Sequence, residues 1–191
     1  DYELVPLHLK DHILIIANTN KSRGLSDSKY NQRRSECDKA VEYISAKKPI
    51  EHLSQIDLNE FNEVKDAISD PTVLKRARHV ISENQRVLEA VDTLKAGELS
   101  VFGALMNQSH DHLRDDYEVT GMELDTLVEE ARKVDGVLGA RMTGAGFGGC
   151  TVNLVHKDAE QNFIVNVGAC YYKLTGMRAG FYTATIGSGA K

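Results

Sequence analysis

Cysteine is scarce in this sequence, and what there is carries no pattern. Cys37, Cys150 and Cys170 are odd in number, far apart and without Cys-x-x-Cys spacing. They offer neither the paired ligands of a structural zinc site nor a disulfide framework, and predict reduced, mostly buried thiols of a cytosolic protein. Basic residues are not in excess. The net charge of −5 gives no positive face for a phosphate backbone, which argues against nucleic acid as a partner. No run of about 18 apolar residues is present, so no membrane span is expected. No positively charged leader with an apolar core opens the chain either. It begins at Asp1 and enters a strand-like segment almost at once, as an excised fragment would. A cytoplasmic protein of 191 residues is expected, forming one domain over 1–191 or a domain with an appended helical subdomain.

The periodicity of apolar residues orders the chain. Ile13 to Ala17 is a short apolar β-type run and reads as a buried strand. A polar loop follows over 18–29. Cys37, Ala40, Val41 and Ile44 then recur at helical spacing. Asp57 and Glu60 form a capping-box pattern ahead of Phe61, Val64 and Ile68. Asp70 before Pro71 predicts an N-cap with proline at the first helical position. The long helix that follows has one apolar stripe, Ala77, Val80, Ile81, Val87, Leu88, Val91 and Leu94, and stops at Gly97. Two more helices carry Leu99 to Leu113 and Leu124 to Val134.

The last third alternates. Val137 to Met142 reads as a strand and Cys150 to Leu154 as another with two unlike faces. Phe163, Val167, Cys170, Tyr171 and Leu174 form a helical stripe, and Phe181 to Ile186 a final strand. The order is strand, helices, strand, strand, helix, strand. That is an α+β fold: a ferredoxin-like split β-α-β antiparallel sheet with extra helices inserted in the first crossover, covered by helices on one side.

The chemistry-bearing segment is the loop Thr143-Gly144-Ala145-Gly146-Phe147-Gly148-Gly149. It satisfies G-x-G-x-x-G, and the P-loop pattern except that Cys150 stands where lysine belongs. Both of those motifs must follow a strand and open a helix, so that a phosphate meets the helix N-terminus. This loop leads into a strand and is a hairpin connection. Four glycines in six residues still exceed what a tight hairpin needs. Glycine permits positive φ and close backbone approach, and successive N–H groups can form an anion-binding nest.

The stretch Gly139 to Val152 resembles the third signature motif of the GHMP small-molecule kinases, in its galactokinase form. Asn18-Thr19-Asn20 with Ser28 to Cys37, Phe102 to His110, and Asp116 to Thr120 resemble the same family, so the resemblance covers essentially the whole chain. It implies the C-terminal domain of an enzyme that transfers the γ-phosphate of ATP, with Mg2+, to the anomeric hydroxyl of D-galactose in galactose catabolism. Tyr30 matches the family tyrosine that contacts the sugar, and Thr143 to Gly149 the loop near sugar and phosphate. No counterpart of the first motif, which binds sugar, or of the second, which wraps the nucleotide phosphates, is present. The catalytic aspartate and its arginine partner belong to that same N-terminal domain. No catalytic residue and no metal ligand are therefore expected here, and the chain alone is expected to be inactive. The severed interface would leave an apolar patch free for self-association. A sister kinase acting on N-acetylgalactosamine or another small alcohol, and a galactose-sensing binding protein, fit the same residues.

Other residues carry expectations of their own. Arg33 and Arg34 order the sugar-side loop, pair with nearby acids or form a solvated helix face. Asn84, inside the apolar stripe, is expected to tie its helix to neighbouring backbone. His110 and His112 flank Asp111 and point to different helix faces, which disfavours a metal site. His110 is expected to make a structural contact and His112 to be exposed.

Overall fold

The computed structural model describes residues 3–5, 7–22, 26–184 and 186–187, and of 26–28 the backbone only. Strand β1 (His12–Asn18) is followed by helices α1 (Ser26–Ser45), α2 (Leu58–Val64), α3 (Pro71–Ala96), α4 (Leu99–Asp115) and α5 (Met122–Arg132). Then come β2 (Val137–Thr143), β3 (Cys150–His156), α6 (Glu160–Thr175) and β4 (Gly180–Ala184). The four strands lie in the order β2-β3-β1-β4 with every neighbouring pair antiparallel. This is the expected split β-α-β sheet, and α1 to α4 are the insertion in its first crossover.

Local chemistry sets the helix ends. The Asp57 carboxylate accepts from Glu60 N at 2.8 Å while Glu60 accepts from Asp57 N at 3.0 Å, closing both arms of the capping box. Asp70 caps α3 by accepting from Thr72 N at 2.8 Å, with Pro71 in the first turn. Gly97, at φ 70°, ends the same helix in the left-handed conformation.

Two cores follow. Register places Ile15 opposite Asn153 and Ala17 opposite Thr151. The face they share is covered by α5 and α6, which bury Leu127, Val128, Phe163, Val167 and Tyr171 against it. The inserted helices have a core of their own around Ile44, Phe61, Val73, Ala77 and Ile81. Helix α4 runs along the outer edge of β2. There the Asn107 side chain accepts from Ala140 N at 2.9 Å and His110 Nδ1 from Met142 N at 3.2 Å. An edge strand whose N–H groups would otherwise be bare is thus satisfied by side chains. Gly103 and Gly139 meet backbone to backbone at this contact, where a Cβ on Gly139 would lie 2.3 Å from Gly103 O.

The opposite sheet face is open. Leu154 on it is buried, but Leu14, Ile16 and Val152 are only partly covered and Tyr182 is 61% exposed.

Several expectations need correction. The apolar stripe of α3 is not one buried face. Ala77 and Ile81 are buried, whereas Val87 is 60% and Leu88 63% exposed, because α3 outruns the helical core that covers its first half. The Asn84 amide nitrogen has no partner among the described residues, so it ties the helix to nothing there. His112 is not free on the surface. It is partly covered, with Nδ1 at 3.6 Å from Asp116. The cysteines are unpaired as expected but only half-buried. The last strand ends at Ala184 rather than 186; residue 185 lies outside the described residues. Part of the expected 18–29 loop is the first turn of α1, and 23–25 also lie outside the described residues.

Candidate functional site

The hairpin between β2 and β3 is built on backbone that ordinary residues avoid. Gly144 and Gly146 have φ 84°, Phe147 59°, Gly148 127° and Gly149 91°. Phe147 is the one residue of this run with a Cβ, and left-handed backbone at a bulky residue persists only when its surroundings impose it. Two anchors do so.

The first is the end of β1. Thr19 N and Thr19 Oγ1 both donate to Gly149 O, at 2.8 and 2.9 Å, and Gly149 N donates back to the hydroxyl at 3.1 Å. Thr19 is itself fixed by the buried Tyr171, whose hydroxyl donates to Thr19 O at 2.8 Å. The second is the connector between α4 and α5. Phe147 N donates to Val119 O at 2.7 Å, and Gly146 sits so close that an added Cβ would lie 2.0 Å from that same oxygen. The Phe147 ring packs with Leu113, Val119, Leu124 and Met142.

The connector is clamped by arginines from two other helices. Arg76 on α3, 2% exposed, donates to Glu36 at 2.8 Å, to Glu118 at 2.8 Å and to Asp116 O. Arg33 on α1 donates to Tyr117 O at 2.5 Å and Glu118 O at 3.1 Å and pairs with Glu36 at 3.1 Å. Arg78 pairs with Asp116. Of the two arginines weighed from sequence, Arg33 is therefore buried and structural, and Arg34 is exposed. His110 is fully buried, with Nε2 facing Asp125 at 3.3 Å.

The same clamp brings α1 to the hairpin. Lys29 Nζ lies 4.9 Å from the centre of the Phe147 ring, a cation–π contact. Tyr30, the next residue, is 57% exposed. Thr143, Gly144 and Ala145 are exposed as well, while Gly146, Gly148 and Gly149 are buried and Phe147 partly so. The structure thus sets the sequence-predicted loop beside the first turns of α1, the helix that carries Tyr30.

Chemically, the arrangement can bind and orient. Among the described residues the N–H groups of the exposed Gly144 and Ala145 make no backbone hydrogen bond, which leaves them for an anion or a polar ligand. Lys21 and Lys29 stand nearby, Lys21 paired to Glu123 at 2.8 Å and flanking Gly148. Acids suited to proton abstraction are engaged elsewhere: Glu36, Asp116, Glu118 and Glu123 each hold an arginine or lysine. No group of three or more His, Cys, Asp or Glu side chains among the described residues could hold a metal ion.

His79 adds a pH dependence. It is 5% exposed, stacked on Tyr117 with ring centres 4.4 Å apart, and burial pushes its pKa down to about 3; His112, Arg86 and Arg141 lower it further and Asp116 opposes them. The folded pKa is below the unfolded value, so this contribution is complete above about pH 6.5 and is lost as pH falls toward 3. Urea unfolding of the chain is expected to show stability falling by up to about 1.4 kcal/mol per pH unit from this group below pH 6.5. His79→Phe, which keeps the stack, removes that slope.

The pairing of Arg33 with an acid is among the sequence expectations, whereas Arg76 and the two anchors are not, although Asp116 to Thr120 stands out as a family-like segment. A signal for Arg76 was present: it lies between Val73, Ala77 and Val80 on the buried side of α3, where an arginine needs acidic partners.

Known proteins share the sequence and fold of this chain. The family described as GHMP kinases C terminal matches residues 87–173. The galactokinase of Streptococcus suis is 52% identical over 191 residues, which is 100% of this chain and 49% of that protein. The galactokinase of Clostridium perfringens is 54% identical over 188 residues, 98% of this chain and 49% of the relative. Among solved structures, Lactococcus lactis galactokinase complexed with galactose superposes with a TM-score of 0.96 at 49% identity, covering 99% of this chain and 49% of that one. Mevalonate kinase of L. major, at 21% identity and a TM-score of 0.53, shares the fold. The chain spans about half the length of the curated relatives it matches. The chain has the GHMP kinase C-terminal fold and is similar over its whole length to the C-terminal half of galactokinases.

Proposed function

We propose that residues 1–191 form the C-terminal domain of a galactose kinase, which transfers the γ-phosphate of ATP to the anomeric hydroxyl of D-galactose and yields galactose 1-phosphate. The observation that carries this reading is the match over 99% of the chain to a galactokinase complexed with galactose. The nucleotide-binding domain, with the catalytic aspartate, lies outside this chain, and the reaction takes place in the cytoplasm. No helix among the described residues is long and apolar enough to cross a membrane, and the three cysteines are unpaired.

In this reading the chain binds and orients. Tyr30 presents a flat face and one hydroxyl to the pyranose. The hairpin from Thr143 to Gly149 closes over the sugar and the transferring phosphoryl group with its free N–H groups, and positioning of this kind is most of what phosphoryl transfer asks of a protein. Among the described residues no group of three or more His, Cys, Asp or Glu fits a Mg2+ site, and Glu36, Asp116, Glu118 and Glu123 are already paired, so no step is routed through the metal here.

Kinetics of the full-length protein test the assignment of Tyr30. Tyr30→Phe removes one neutral hydrogen bond, worth about 0.5–1.5 kcal/mol, and should raise KM for galactose about 2- to 13-fold. Tyr30→Ala also removes the face and should raise it more. KM for ATP and the melting temperature should not move, because a residue 57% exposed holds little of the core. The expected pattern is lost uniform binding of one substrate. An unchanged galactose KM in Tyr30→Ala removes the residue from the site.

A further inference from the structure

The outer edge of β2 is met by side chains of α4 instead of another strand, and the last of these contacts falls beside the candidate loop. Asn107 accepts from Ala140 N, and His110 Nδ1 accepts from Met142 N at 3.2 Å. The N–H two residues further on belongs to Gly144, which is exposed and makes no backbone hydrogen bond among the described residues. His110 therefore holds β2 one residue before its end at Thr143, where the hairpin begins.

His110 is 0% exposed. A side chain that only filled space there would not carry nitrogen, since burying polar atoms is costly unless they are bonded. Because Nδ1 accepts, the hydrogen of the neutral ring sits on Nε2. That nitrogen faces Asp125 Oδ1 at 3.3 Å; both atoms are buried, and neither has another partner among the described residues. Asp125 stands in the first turn of α5, where the helix dipole favours a carboxylate. A carboxylate beside Nε2 fixes the tautomer in which Nδ1 can accept. Met142, whose backbone is held in this way, is 1% exposed and packs in the cluster with Leu113, Val119 and Leu124 on which Phe147 rests. A shift at Met142 thus reaches the hairpin twice, along the chain through Thr143 and across the core through the Phe147 ring.

Resting on the kinase reading above, we propose that His110, oriented by Asp125, is a positioning residue for phosphoryl transfer: through Met142 N it sets where the open N–H groups of Gly144 and Ala145 stand. His110 is sealed behind β2 and acts only through the strand it holds. Its effect belongs to the geometry of the reacting complex and therefore to kcat, whereas that of Tyr30 belongs to KM for galactose.

Three substitutions in the full-length protein, assayed well below its melting temperature, separate the roles. His110→Asn keeps an acceptor at the place of Nδ1, His110→Gln moves it to the place of Nε2, and His110→Leu removes it. His110→Gln and His110→Leu should lower kcat at least about tenfold and leave KM for galactose within about twofold. His110→Asn should retain at least about a third of kcat. Asp125→Ala should lower kcat about threefold or more in the parent protein but not further in His110→Asn, since an amide oxygen accepts without a tautomer to fix. Hydrogen exchange of peptides covering 142–147 should quicken in His110→Gln and His110→Leu and not in His110→Asn. Unchanged kcat in His110→Gln and His110→Leu, with lower melting temperatures alone, would make His110 a packing residue and overturn the proposal. Equal losses in His110→Asn and His110→Gln would overturn it too, because the place of the acceptor would not matter; that comparison holds even if His110→Leu does not fold. Equal losses from Asp125→Ala in both backgrounds would remove Asp125 as the orienter. A full-length protein that phosphorylates no galactose would sink the kinase reading, while the exchange pattern would still decide whether His110 sets the hairpin.

Discussion

Gly146→Ala should cost the full-length enzyme at least about 100-fold in kcat/KM, whereas Gly144→Ala, two residues away, should cost a few-fold. The two glycines have the same φ of 84°, so the strain of placing an L side chain in left-handed backbone is alike, about 1–2 kcal/mol. Their surroundings differ. A Cβ on Gly144 meets nothing within 4 Å, while one on Gly146 would lie 2.0 Å from Val119 O. That oxygen also accepts from Phe147 N, so neither partner can move without breaking the bond that fixes the hairpin. The loop must withdraw from the connector and carry its free N–H groups with it. A displacement of about 1 Å at an orienting group is enough for a loss of that order. Stability should fall too, by about 2–4 kcal/mol, which thermal melts of both variants will show. Equal effects of the two substitutions would mean that the hairpin is held by turn chemistry alone.

Arg76→Met should destabilise the isolated chain by about 3 kcal/mol. Removing one member of a buried ion network usually costs 3–5 kcal/mol because its partners stay behind uncompensated. The lower end applies because Glu118 is half-exposed and can turn to water, whereas Glu36, whose side chain is 12% exposed, remains covered. Arg76→Lys should recover only part, since an ammonium cannot reach Glu36, Glu118 and Asp116 O together as the planar fork does. Glu118 gives a pH signature. The Arg76 hydrogen bond holds its carboxyl below the usual range. Its contribution is thus present above the ordinary carboxylate pKa and lost as pH falls through the lowered one. Urea unfolding at pH 7 measures the first effect and a pH series the second. A loss under about 0.5 kcal/mol, the scale of a surface substitution, would show that the clamp does not hold the connector.

The fold was legible where local rules are strong. The capping box at Asp57, the Asp70–Pro71 start and the Gly97 stop each act within a few residues, and each appears as expected. The order of strands and helices was enough to place the four-stranded sheet, because a hairpin followed by a helical crossover leaves few topologies. Periodicity failed on the second half of α3. An apolar stripe says which side of a helix wants cover, not whether this chain supplies it, and Val87 and Leu88 are left bare. At the site, the glycines were readable as a motif, but their partners were not. Thr19, Val119 and Arg76 lie roughly 30 to 130 residues from the loop, as the Thr19–Gly149 bond at a separation of 130 shows. Contacts of that range leave no mark on the local pattern. The clue to Arg76 was only its place on a buried stripe, and nothing in the sequence spacing points to Val119 O as the group that forbids a Cβ at 146.

Galactose phosphorylation, measured as galactose 1-phosphate formed from ATP and D-galactose, tests the central claim most directly when run in parallel on the full-length protein and on residues 1–191. The account predicts galactose 1-phosphate with matching ADP release from the full-length protein and none above a mock preparation from the chain alone. Turnover by the isolated chain would contradict the division of the site between two halves. Galactose binding by the full-length protein without product would contradict the kinase itself and leave a sugar-binding protein in its place.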